Sequence, residues 1–173
     1  MMKSMVALLV LSLSFHVYGQ NPKTVTLRSV LLEQLRTTHS EKDWFVPIDV
    51  AVEGLTPEQA SWKDGSGNHS VGQLTNHLLF WNRQELAKFK GEPKEKFSGN
   101  NDETFNNFDA KKWKDTVKQL DQVMTELEGL VETADDTKLH EIAHIGTHNA
   151  YHVGQMIFVR KLQGSWNPDK GVK

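Results

Sequence analysis

The chain has no cysteine among its 173 residues. Disulfides and thiolate ligands are therefore excluded, and any metal must be held through nitrogen or oxygen. It also lacks a surplus of charge. Twenty Lys and Arg stand against 22 Asp and Glu, for a formal net charge of −2. No basic stripe breaks that balance, which argues against nucleic acid as a partner. No segment beyond the N-terminal leader is apolar enough to span a bilayer, so no stable membrane span is expected. Period-two alternation is missing as well, so strands are not expected. After Glu141 there is no further glutamate, and Asp169 is the only acidic residue.

What is present begins with a leader. Met1-Met2-Lys3 precedes an apolar run from Met5 to Phe15, and Val17-Tyr18-Gly19 precedes Gln20. A positive start, a short apolar core and tolerated residues at the cleavage positions read as a secretory signal peptide. Residues 1–19 are expected to be removed, leaving 20–173 as a single exported domain, periplasmic or secreted. With no cysteine after the leader, the lipoprotein route is closed. The remaining length can bury a core without staples.

Almost every patterned segment has the helical period. Leu27, Leu31 and Leu35 line a first helix over about 23–40, and Ile48 to Glu53 continues briefly after Pro47. Thr56-Pro57-Glu58 is a helix start with proline in the first turn. Ser70-Val71-Gly72-Gln73 is a capping box, opening a helix that runs to about Lys90 and ends at Gly91. Its inward stripe is Val71, Leu74, Leu78 and Trp81, and His77 falls within it. Residues 91–108 read as a long polar loop. Asp109 caps a third long helix with the seam Trp113, Val117, Leu120, Met124, Leu127 and Val131. A fourth, from about Thr137 to Gln163, is apolar around most of its circumference near Val153 to Val159 and is expected to be the most buried. Gly164 and Pro168 stop it. The expected fold is all-α, a four-helix bundle, up and down with one or two longer connections.

The fourth helix carries His140, His144, His148 and His152 at a strict spacing of four. Successive members lie about 40° apart on nearly one face, and two imidazoles so placed can reach one ion. Two readings compete. His140-Glu141-Ile142-Ala143-His144 spells H-E-x-x-H, in which two histidines bind zinc and the glutamate is the general base. It lacks a third ligand, an edge strand and the longer metzincin pattern. His148 and His152 share a side with Gln155 and Val159, and His77 on the inward stripe of another helix supplies a third imidazole. His77, His148 and His152 would leave a coordination position open to water or substrate. His144 is a spare ligand or an outer support, and Gln155 is positioned to orient a ligand. His39, at the end of the first helix, and His69, in the loop before the second, could reach the mouth of the site, and no pattern decides it. Tyr151, Trp81 and the Trp44-Phe45 pair read as core or pocket wall, and Gly154 as a residue that lets two helices approach closely.

The segment His148-Asn149-Ala150-Tyr151-His152-Val153-Gly154-Gln155, with Arg160 beyond, resembles the last-helix signature of the DinB/YfiT-like superfamily. Ser70-Val71-Gly72-Gln73-Leu74-Thr75-Asn76-His77-Leu78 resembles its second-helix signature. The resemblance spans about Leu27 to Trp166. It implies a four-helix bundle with a divalent metal on His77, His148 and His152, and either a metal-dependent hydrolase or a transferase using a low-molecular-weight thiol. The export signal departs from a cytosolic thiol transferase. Hydrolysis through a metal-bound water is the first expectation, with a small-molecule substrate. The alternatives are a non-catalytic exported protein that binds a metal or small ligand, and, behind these, a zincin-type protease through His140 and His144. No carboxylate is placed by spacing beside the three ligands to act as base. Three nitrogens suit zinc, nickel or iron(II). The long helices offer faces for a homodimer, and no pattern singles one out.

Overall fold

The computed structural model describes residues 24–172, so the expected leader lies outside the described residues. Four long helices, α1 (Leu27–His39), α4 (Val71–Lys90), α6 (Trp113–Thr133) and α7 (Leu139–Gln163), form the bundle. Three short ones, α2 (Ile48–Val52), α3 (Pro57–Ser61) and α5 (Asp102–Asn106), lie in the two long connections. No strand occurs among the described residues, and no described helix is long and apolar enough to cross a membrane. The sequence-level boundaries hold to within a few residues. The exception is α5, which sits inside the segment expected to be loop.

Local chemistry explains the ends. Thr26, Thr56 and Ser70 each cap a helix through a reciprocal box with Ser29, Gln59 and Gln73, satisfying donors that the first turn leaves free. Gly91 and Gly164 close α4 and α7 in the left-handed region, where a side chain would be strained.

α4 borders α6 and α7, and α1 borders the same two helices from the opposite side. Residue pairs fix the directions. Arg28 reaches the Val131 carbonyl while His39 reaches Asp121, so α1 and α6 are antiparallel. Arg83 meets Gln119 and Lys90 meets Glu126, so α4 and α6 run the same way. Lys88 meets Glu141 while His77 meets His148, so α4 and α7 are antiparallel. The order is up, down, down, up, and the parallel pair α4 and α6 requires residues 91–112 to return along the bundle.

Leu35, Leu78, Met124, Leu127 and Met156 are fully buried at the centre. Each such side chain contributes about 1.5–3 kcal/mol relative to exposure. Asn82 and Asn149 are buried among them, with Asn82 Nδ2 donating to Asn149 Oδ1 at 3.0 Å. A polar pair so deep is stable only when matched, so it fixes how α7 is rotated against α4. Arg160 is buried too and donates to the carbonyls of Ala51 and Ser165, tying α7 to the end of α2.

Several expectations about burial fail. Phe158 is 55% exposed and Leu162 also faces solvent, so α7 is not covered all round. Among the described residues nothing lies within 4 Å of a side chain built at Gly154, so that glycine serves no close approach between described helices. Trp44 is 89% exposed, because the turn after α1 carries it outward; Val46, not the aromatic pair, enters the core. Leu27, at the very start of α1, is exposed as well.

Gly72 has a definite reason. A Cβ there would meet the Phe108 ring at 2.2 Å, far inside contact distance. Gly72→Ala should therefore displace the segment before α6 and destabilise the fold by about 1–3 kcal/mol, measured by urea unfolding.

His39 is buried between α1 and α6. Its Nδ1 lies 2.7 Å from Glu128 and its Nε2 3.1 Å from Asp121, with Asp49 at 4.0 Å. Burial alone would lower its pKa. The Glu128 hydrogen bond and the charges of Asp49 and Glu128 outweigh burial and raise it above 6.5. The folded protein thus keeps this proton to higher pH than the unfolded chain. The resulting stabilisation is full below pH 6.5 and is lost as pH rises through the raised value. His39→Gln should cost about 1.5–3 kcal/mol at pH 5.5, and the deficit should shrink steadily in urea titrations carried to pH 9.

Candidate metal centre

α4 places His77 on its buried face, and α7 presents His148 and His152 one turn apart on the facing side. The Nε2 atom of His148 lies 3.0 Å from that of His77 and 3.1 Å from that of His152. The other ring nitrogens determine what these atoms carry. Thr104 Oγ1 gives its own proton to the Asn101 carbonyl at 2.6 Å, so it can only accept from His77 Nδ1, also at 2.6 Å. His152 Nδ1–H donates to Gln155 Oε1 at 2.6 Å. With both Nδ1 atoms protonated, the Nε2 atoms of His77 and His152 present lone pairs toward His148.

The surroundings keep all three rings neutral. Burial, then the proximity of His152 and His148, pushes the His77 pKa down to about 3. Burial and His152 push His148 down to about 4. Burial lowers His152 as well, against the Gln155 hydrogen bond. Neutral imidazole is the form that binds metal. Three nitrogens held 2.0–2.1 Å from one tetrahedral ion stand roughly 3.3 Å apart, so separations of 3.0 and 3.1 Å suit a shared cation. The donor set fits a divalent metal.

The segment between α4 and α6 completes the site. Asn76 Nδ2 donates to the Thr104 carbonyl at 2.7 Å and Gln73 Nε2 reaches Asn106, so α4 clamps α5 in place. Phe105 stacks on His77 at 3.9 Å, and His69 stacks on the other face of Phe105 at 3.9 Å. Thr104 and Phe105 are absent from the sequence-level set. Their only sequence signal is a five-residue helix with Asp102 and Glu103 favouring its first turn.

The remaining histidines separate. His69 reaches the site only through Phe105. His39 belongs to the α1–α6 cluster and does not reach the mouth. His140 is exposed, beside the Thr137 carbonyl and Glu141. His144 lines the same cavity as the three histidines and makes no hydrogen bond to them. Glu141 is engaged by Lys88 at 2.5 Å, and that hydrogen bond holds its carboxyl below the usual range. The H-E-x-x-H segment gathers no third ligand among the described residues, which leaves the zincin alternative unsupported.

A cavity of about 560 Å³ opens on the three histidines, walled by Trp81, Phe105, Ile145 and Tyr151. Tyr151 is at once cavity wall and surface residue.

A family model described as the DinB superfamily matches residues 48–158, more than half of the chain. No curated protein and no solved structure gives a significant match. The matched range contains both signature segments, the Ser70–Leu78 turn of α4 and the His148–Gln155 turn of α7. On that match, and with an all-helical bundle as its fold, the chain belongs to the DinB superfamily.

Proposed function

We propose that His77, His148 and His152 hold one divalent cation, zinc, nickel or iron(II), and that the protein is a metal-dependent hydrolase of a small molecule bound in the adjoining cavity. The observation that carries this reading is the convergence of three neutral Nε2 atoms, two of them deprotonated by hydrogen bonds at the far side of the ring. A cation there would supply Lewis acidity and lower the pKa of a bound water toward neutrality. Thr104 and Gln155 hold the ligand rings in the required tautomer. Phe105 fixes the plane of His77 and shields it from water. The aromatic walls bury the substrate.

One observation favours the second reading, metal or small-ligand binding without turnover. Glu141, the carboxylate nearest in sequence to the ligands, is paired with Lys88 and is a weak base. The proposal extends to an exported protein, on the strength of Lys3 and the apolar run before Gly19. Such an address sits poorly with transfer to a cytosolic thiol.

Elemental analysis of the purified protein should find one metal per chain, falling to background in His148→Ala/His152→Ala with the helical circular dichroism kept. Equal metal in both would remove the site. Thr104→Val should leave the ligands in place but release His77 from its tautomer, weakening metal affinity about 10–100-fold in competition with a chromogenic chelator. A screen of ester, amide and lactone substrates on the loaded protein separates hydrolase from binder.

A further inference from the structure

The cavity has two chemically different ends. His77, His148 and His152 form one. Glu85 lies eight residues beyond His77 on α4, about 12 Å farther along the axis, and Glu141 lies seven before His148 on the antiparallel α7, about 10 Å along. Both carboxylates line the same cavity as the histidines.

The charge at the far end is unbalanced. Among the described residues no lysine or arginine lines the cavity. Lys88 approaches from outside, with Nζ 2.5 Å from Glu141 and 3.7 Å from Glu85 Oε2, and 42% of its side chain stays exposed. One ammonium thus faces two carboxylates. Glu85 Oε2 is shut off from solvent and has no hydrogen-bond partner. Lys88 Nζ lies 1.2 Å closer to Glu141 than to Glu85 (2.5 against 3.7 Å), so Glu85 is the less engaged of the two carboxylates that line the cavity. The walls add to the preference, because Trp81 and Tyr151 also line the cavity and aromatic rings of this kind attract cations.

We propose that the cavity selects an elongated organic cation, with a protonated amine or guanidinium seated on Glu85 beside Glu141 and a metal-binding or scissile group at the histidines. This rests on the metal reading above. Molecules ending in carboxylate or phosphate are disfavoured, since they would meet two carboxylates and no lining cation.

The test uses the zinc-loaded full chain and four hydroxamates in isothermal titration. Acetohydroxamate probes the metal alone. 6-Aminohexanohydroxamate, 6-hydroxyhexanohydroxamate and the monohydroxamate of adipic acid share a length and differ in terminal charge. The amine should bind at least tenfold tighter than the alcohol, with the carboxylate weakest. Glu85→Gln should reduce the amine preference to under threefold while acetohydroxamate binds as before. Lys88→Gln, which removes the competing ammonium, should widen the preference, and it tests the idea even if the Glu85 variant folds poorly. Equal binding of the three long hydroxamates, or tightest binding by the carboxylate, overturns the proposal while acetohydroxamate binding upholds the metal reading. Failure of all four to bind overturns the metal reading and takes this inference with it.

Discussion

Three imidazole nitrogens meet with that of His148 within one hydrogen-bond length of the other two, and each such pair can share at most one proton. Here two of the three have none to give. His77 and His152 each spend their ring proton outward, on Thr104 and Gln155. Their lone pairs then face His148 across 3.0 and 3.1 Å. One Nε2 proton on His148 cannot fully serve both lone pairs, whereas a cation shared by the three rings would. Most of the conspicuous residues around the three rings act to hold that arrangement together. The Asn82–Asn149 pair sets the rotation of α7, so that His148 and His152 meet α4 and do not turn away from it.

The second-helix signature is explained by the same demand. Ser70 and Gln73 start α4, Gln73 also holds Asn106, Gly72 makes room for Phe108, and Asn76 holds Thr104. Each of these residues fastens part of the 91–112 connection to the helix. That connection has to return along the bundle because α4 and α6 are parallel. The returning chain delivers Thr104 and Phe105 to His77, one at its nitrogen and one at its face. The topology of the bundle and the chemistry of the site are therefore one arrangement: the crossover required by parallel helices supplies the ligand's support.

Much of this was legible in the sequence. Helical period and caps placed the four long helices, and the helical angle picked His77, His148 and His152 from eight histidines. The illegible parts share a cause. A helical angle tells which residues share a side, but not what covers that side. Phe158 read as buried because its neighbours are apolar and Gly154 as a point of close helix approach, yet no described element packs closely over either. Trp44 and Phe45 read as wall because they are large, while a turn points them outward. α5 is too short to show a period, so Thr104 looked like any loop threonine. Glu85 carries no signal in the sequence, since the cavity it lines is formed with α7, dozens of residues away in the chain.

The same separation has a consequence for folding. His77 and His148 are 71 positions apart, and their rings touch only when the bundle is complete. A cation shared between them would close a loop of that length. In many proteins that service falls to a disulfide, which this cysteine-free chain has no means to make. Such a bridge needs no oxidant and no isomerase. It would form and open with the supply of metal, so the durability of the fold would follow that supply and not the redox state.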